Sequence, residues 1–343
     1  MKKIIYCTLS CIVLIGCHQK NAAAEARADT DAEKTTAPAL GSSLNCFTDS
    51  KAILNQINQK STITQLEAAN SALKKCTPKL ENTQLYQLLD SANNMYQRFL
   101  TTTSGEESME GINAYGYAKE YPDSATDLGH GDAASIKKTL PQRDQYLVDQ
   151  VGKQYIQFLD VGEGYFLLKQ NPQYAVDLFA PYLPRAEAVF IQRMAKDNTD
   201  ILYSDAAIAI SWQQLVERAL FWENYIQQYP NSRFVEDAKY LLQEYEYLSF
   251  IGSDNSNAFG FSKGRYMVET EEVKPALTWL AKQPNSQVAK KAQLFLDYTS
   301  KYYPSIQDND YDQQYKPIVR LLQLTVPDFK RDCHHTALCI DFE

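Results

Sequence analysis

Trp222-Glu223-Asn224-Tyr225-Ile226-Gln227-Gln228-Tyr229-Pro230-Asn231-Ser232 returns 54 residues later as Ala276-Leu277-Thr278-Trp279-Leu280-Ala281-Lys282-Gln283-Pro284-Asn285-Ser286. The match continues downstream at the same offset. Phe234, Ala238, Leu241, Tyr245 and Leu248 fall on Val288, Ala292, Phe295, Thr299 and Tyr302. Steps of four, three, four and three place each set on one face of a helix. Pro and Asn end one helix, and Ser232 or Ser286 stands where the next needs an oxygen for its unpaired backbone N–H groups. The alanine in each stripe (Ala238, Ala292) leaves room for a neighbouring helix to approach. The two stretches are therefore helix–turn–helix units of one design, and the chain is expected to be all-α, built from antiparallel helical pairs.

Reading outward from these units, helical periodicity predicts helices over 48–58, 62–76, 81–100, 142–168, 173–196, 205–228, 231–250, 271–283, 285–303 and 309–324. Two stretches rich in Gly, Ser and Asn interrupt them, at about 103–133 and 252–266, and the longer is expected to be a mobile excursion. No segment alternates apolar and polar residues over the length of a strand, and Gly and Pro number only 13 each in 343 residues, few for a protein of many tight turns.

An aromatic residue (Tyr225, Trp279), four intervening positions, Pro-Asn-Ser and an alanine-centred helix resemble the tetratricopeptide-like repeats of bacterial envelope lipoproteins. The resemblance covers about 215–250 and 271–303. The offset exceeds the 34 residues of a tandem repeat because 252–266 intervenes. Asn171-Pro172 with Val176 and Ala180 forms a degenerate third unit, interrupted by Pro181 and Pro184. The resemblance implies a TPR-like solenoid whose concave helix faces hold a protein partner.

The amino terminus carries an address. Lys2 and Lys3 precede an apolar run from Ile4 to Gly16, too short for the roughly 20 residues of a membrane span and suited to a secretory signal. The run ends Leu14-Ile15-Gly16-Cys17, which resembles the lipobox of bacterial lipoproteins. The resemblance implies that 1–16 is a signal peptide removed before Cys17, and that diacylglycerol on the Cys17 sulfur and an acyl chain such as palmitate on its amine form a stable anchor. His18, rather than Asp, then implies outer-membrane sorting, with the periplasmic face the expected side. Residues 17–45, rich in Ala, Thr, Asp and Glu, are expected to be anchor and flexible tether with a reach of roughly 25–30 Å. The body divides into an N-terminal helical part over 46–140 and the TPR-like domain over 141–343.

Of the seven cysteines, Cys7, Cys11 and Cys17 belong to the signal and anchor. Four remain, in a compartment that favours disulfides. An antiparallel pair of helices over 48–58 and 62–76 brings Cys46 beside Cys76, and Cys333 and Cys339 are near enough to close a small loop; bridges between the two ends are the alternative. Cys333-His334-His335 with Cys339 also raises zinc, but the spacing departs from the Cys-x2–4-Cys of zinc sites, so no metal or other cofactor is expected. With 34 basic against 42 acidic side chains the net charge is -8, which argues against nucleic acid as a partner.

Chemistry leaves few marks. Neither a phosphate-binding loop, a dinucleotide fingerprint, HExxH, an EF-hand nor a Gly-x-Ser-x-Gly elbow is present. Glu163, in Val161-Gly162-Glu163-Gly164-Tyr165, is the one acid in an unusual setting; it reads as a candidate general acid for an enzyme acting on cell-wall glycan or peptide, or as a solvated residue at a helix kink. His130, in Gly129-His130-Gly131-Asp132, reads as a cation ligand, a base or a plain loop residue. Asp308, Asp310 and Asp312 alternate as in calcium loops but lack the required Gly and Glu, and read as a helix start.

The stretch over 252–266 is the binding candidate. Phe259, Phe261, Arg265 and Tyr266 are the residue types of interface hot spots, unless the two Phe tuck back between the repeats. The 23 tyrosines, among them Tyr225, Tyr229, Tyr240, Tyr245 and Tyr247 at helical spacing, suit packing with hydroxyls at a rim or the wall of a groove. The sequence thus points to a non-catalytic, lipid-anchored scaffold with an envelope protein as partner; an enzyme and a small-ligand or surface receptor are the rivals.

Overall fold

A computed structural model describes residues 40–102, 106–123, 131–328 and 330–341. The lipobox and Cys17, and His130, lie outside the described residues. Within them the chain is mostly helical, with thirteen α-helices and five two-stranded antiparallel pairs. None of these helices is long and apolar enough to cross a membrane.

Helix α1 (Leu40–Gln56) and α2 (Ile63–Cys76) pack as an antiparallel pair. A capping box, in which Thr62 and Gln65 bond each other's backbone N–H, starts α2. The pairing places Cys46 against Cys76 with Cα atoms 5.6 Å apart, and a disulfide joins them. Helix α3 (Asn82–Phe99) lays Leu85, Leu88, Leu89, Ala92, Tyr96 and Phe99 into the core. Its Arg98 guanidinium donates to the carbonyls of Leu54 and Ile57, at the end of α1 and just beyond it.

The sequence between 103 and 133 is not one structureless excursion. It contains helix α4 (Glu106–Glu120), followed by α5 (Ala133–Thr139). The glycines that read as loop are sites of close approach on α4. A Cβ on Gly116 would stand 2.3 Å from the Phe166 ring, and one on Gly111 would stand 2.8 Å from Leu140. A residue without a side chain is what lets the next elements press against this helix.

The predicted helix over 142–168 is also corrected. Helix α6 (Gln142–Val148) is short, and the chain then forms a hairpin of β1 (Ile156–Asp160) and β2 (Phe166–Gln170). Gly162, Glu163 and Gly164 all have positive φ (91°, 54° and 76°), which no right-handed helix can accommodate. The Asp160 carboxylate accepts the Gly162 N–H and fixes the turn. Phe166, Leu168 and Gln170 point to the buried side, the period-two alternation of a strand.

Two helices replace the one predicted over 173–196: α7 (Gln173–Leu178) and α8 (Arg185–Asp197), separated where Pro181 and Pro184 forbid continuation. A small pair, β3 (Tyr203–Ser204) and β4 (Ala207–Ile208), occupies the start of the next predicted helix. The repeat units follow. Helices α9 (Trp212–Gln228) and α10 (Val235–Phe250) form the first, and α11 (Val273–Leu280) and α12 (Gln287–Thr299) the second. Between the units the 252–266 stretch is β-structure, as β5 (Gly252–Ser253) with β6 (Ser256–Asn257) and β7 (Phe259–Ser262) with β8 (Arg265–Val268). Helix α13 (Tyr311–Leu322) packs on α12, with Asp310 capping the Gln313 N–H, so the alternating aspartates do mark a helix start. The chain closes with β9 (Arg331–Asp332), β10 (Ile340–Asp341) and a Cys333–Cys339 disulfide.

Each unit's turn is held by a buried acid from an earlier helix. Glu187 on α8 accepts from Ser232 Oγ and the Arg233 N–H, at 3.3 and 3.1 Å. Glu223 on α9 accepts from Ser286 Oγ and the Gln287 N–H, at 2.5 and 2.6 Å. Ser286 caps α12 through the Ala289 N–H, as the sequence predicts. Ser232 does not cap α10, because the helix begins three residues later, at Val235; it bonds the Phe234 N–H and the Tyr225 hydroxyl within the turn.

Candidate ligand cleft

The residues that end α10 run directly into the β5–β6 hairpin. Gly252 makes that junction with a φ of 91°, and a Cβ there would lie 2.0 Å from the Ser256 carbonyl oxygen. The sharp turn lifts the hairpin off the helix. A cleft of ≈ 650 Å³ opens between α10, this hairpin, the β3–β4 turn, α13 and the segment after it.

Four tyrosines line it. Tyr203 comes from β3 and Tyr247 from the last turn of α10; Tyr311 and Tyr315, four apart on α13, stack with ring centroids 3.8 Å apart at 18°. Leu248, Ile251, Val326 and Pro327 supply apolar wall, and Asn257, Gln314 and Ser253 supply polar groups. The Ser253 hydroxyl is enclosed with no hydrogen-bond partner among the described residues. Asp254, exposed at the hairpin tip, is the one charged lining residue among them.

The phenols are held in their neutral form. Partial desolvation of its hydroxyl raises Tyr311 to about 12 although much of the side chain is exposed, helped by Tyr315, Tyr247 and the Asp254 charge. Burial, then Asp254, raises Tyr247. Burial also raises Tyr315. At neutral pH the cleft therefore presents π-faces and hydroxyl donors beside one carboxylate.

Tyr203 ties the cleft wall to a buried network. Its hydroxyl donates to Glu244 Oε1 at 2.8 Å, and the other Glu244 oxygen pairs with His334 Nε2 at 2.8 Å. Burial alone would lower the His334 pKa; the Glu244 charge and hydrogen bond, with Asp332, outweigh it and raise it. Beside them, Asp197 is bridged by Arg193 and Arg218, and Asn198 Nδ2 donates to the carbonyls of Cys333 and Thr336. The carboxy-terminal disulfide loop is thus fastened to α8 and α10.

The residues singled out in the sequence are dispersed. Phe259 and Tyr266 are buried, packed edge to face at 5.3 Å, and Phe259 also meets Phe295 and Tyr315. Phe261 is half-buried against Tyr266. Arg265 is exposed, its guanidinium 5.0 Å from the Tyr302 ring centre. Only the first half of the stretch, Gly252 to Asn257, reaches the cleft. Glu163 sits in the β1–β2 turn rather than within a helix. Its carboxyl pKa is raised, through a hydrogen bond and charge repulsion from Asp205 rather than by an apolar pocket. Tyr225 and Tyr245 are core residues, whereas Tyr247 faces the cleft. Sequence reasoning named the stretch that holds Asp254 without singling that residue out, and missed Tyr203, Tyr311 and Tyr315. The i, i+4 spacing of the last two was the available signal.

Compared with family models, curated proteins and solved structures, the chain matches none.

Proposed function

We propose that this chain is a lipoprotein of the bacterial outer membrane, anchored through Cys17 and facing the periplasm, whose TPR-like body holds an envelope partner by shape without transforming it. The observation that carries the reading is the shared plan of the two helical units. Helix α9 packs on α10, α11 and α12, and each Pro-Asn-Ser turn is clamped by a buried glutamate from an earlier helix. A clamp that recurs from unit to unit is the kind of nearest-neighbour contact by which a solenoid stacks. Such an array supplies an extended surface at little conformational cost on binding. The cleft adjoins this array through Tyr247 and Leu248 at the end of α10, and its raised phenols suit recognition rather than proton transfer near neutral pH.

The test has two parts. Labelling with an alkyne palmitate analogue and mass spectrometry of the amino-terminal peptide should show an acylated Cys17 with 1–16 removed, and Cys17→Ser should release the chain from the membrane. Photocrosslinking from Tyr311 in intact envelopes should yield one discrete adduct. A bare Cys17 with its leader attached would overturn the address, and the absence of any adduct alongside turnover of peptidoglycan by the purified chain would overturn the role.

A further inference from the structure

The cleft's chemistry narrows what enters it. Asp254 is the single charged residue of its lining, and its carboxylate has neither an ion pair nor a hydrogen bond among the described residues. The groove over Tyr240 is different, since Lys239, Lys330 and Arg331 line it together with Glu236, Asp328 and Asp341, so either sign of ligand finds a partner there. An anion in the cleft would meet a like charge and no cation. A positive group would meet an unpartnered carboxylate and the rings of Tyr247 and Tyr311, whose quadrupoles attract cations, while Tyr315 is stacked between Tyr311 and Phe259.

The kind of cation follows from the rest of the wall. A hard metal ion is held chiefly by grouped carboxylates, and among the described residues no three His, Cys, Asp or Glu come together to hold one. Leu248, Ile251, Val326 and Pro327 offer nothing to a bare, strongly hydrated ammonium, but they would cover methyl or methylene groups on its nitrogen. Resting on the reading of this cleft as a binding surface, we propose that it takes an alkylated ammonium group, the nitrogen beside the Tyr247 and Tyr311 rings near Asp254 and its carbon substituents against the apolar wall. Such a group occurs on a free small cation and on a zwitterionic lipid headgroup.

Calorimetric titration of the full chain, in a non-ionic polyoxyethylene detergent, decides it. Choline is expected to bind at least about tenfold more tightly than 3,3-dimethyl-1-butanol, the neutral isostere with carbon in place of nitrogen. Asp254→Asn and Tyr311→Ala, both at exposed positions, should each weaken choline about tenfold or more with the melting temperature unchanged. Phosphocholine separates the sources: binding as tight as choline points to a headgroup, and weaker binding, from phosphate against Asp254, points to a free cation. Equal affinity for the isostere, displacement of choline by a neutral oligosaccharide, or no saturable heat with choline would each overturn the proposal. None of these results touches the acylation or crosslinking tests, so the two readings fail separately.

Discussion

The two helical units share a plan but not a burial pattern. Tyr225 and Trp279 occupy equivalent positions, yet Tyr225 is 2% exposed and Trp279 is 36% exposed. Leu248 is buried at the end of α10, while its counterpart Tyr302 lies beyond α12 and is 57% exposed. The first unit is covered by α8, whose Phe190 packs on Trp222, Tyr225 and Phe234. Identical local patterns therefore contribute differently to stability according to what lies on their outer side. The motif specifies a helical pair, and the neighbours decide how much of it leaves water.

The sharpest way to break the comparison is at the aromatic positions. Tyr225 is buried against Phe190 and Trp222, so Tyr225→Ala should cost about 3–5 kcal/mol through lost burial and the cavity left behind. Trp279→Ala should cost under about 1 kcal/mol, because much of that ring is already wet. Urea denaturation midpoints of the two variants check this, and equal losses would refute the asymmetry.

The clamps should behave alike in both units. Glu223→Ala leaves Ser286 Oγ and the Gln287 N–H without their acceptor, and Glu187→Ala does the same to Ser232 and the Arg233 N–H. Each should lose about 1–3 kcal/mol, while Ser286→Ala, which also removes a true helix cap, should lose about 1 kcal/mol more than Ser232→Ala. Equilibrium unfolding of the four variants gives the ranking. A near-neutral Glu223→Ala would mean that the clamp is decorative.

The smallest expected difference is in pH response, and it belongs to the first unit alone. Glu244 on α10 pairs with His334, whereas the equivalent position on α12 is Tyr298. Because the folded imidazole pKa is raised, His334 stabilises the fold fully below its ordinary value of about 6.5, and that stabilisation is lost as pH rises through the raised value. Thermal melts should show stability declining over that window, and His334→Gln should flatten the decline. A slope unchanged in the variant would assign the pH dependence elsewhere.

Much of the fold was legible because its determinants are local. The 54-residue echo, the cap at Ser286, the start of α13 at Asp310 and the two short-range disulfide pairings all depend on residues within a turn or two, or on one antiparallel pair. The misread segments depend on contacts far along the chain. Gly116 in α4 resembles a loop glycine until Phe166 is placed against it, 50 residues later. The β1–β2 hairpin did carry a local signal, since Gly162-Glu163-Gly164 between two apolar runs is a turn signature, and continuous hydrophobicity obscured it. Phe259 and Tyr266 looked like hot spots because aromatics that fill a core and aromatics that meet a partner are the same residue types.

By itself the sequence determined that the body is built from helical pairs, where two of those pairs turn, and which cysteines lie within reach of each other. These properties follow from periodicity, capping and chain geometry, which act over a few residues and leave the same trace wherever the segment is placed. Tertiary structure alone decided that Tyr203, Tyr247, Asp254, Tyr311 and Tyr315 face one space. They come from separate elements up to 112 positions apart, and a cleft exists only where those elements stop short of one another. No spacing along the chain encodes that gap, because it is set by how closely neighbouring helices and hairpins pack.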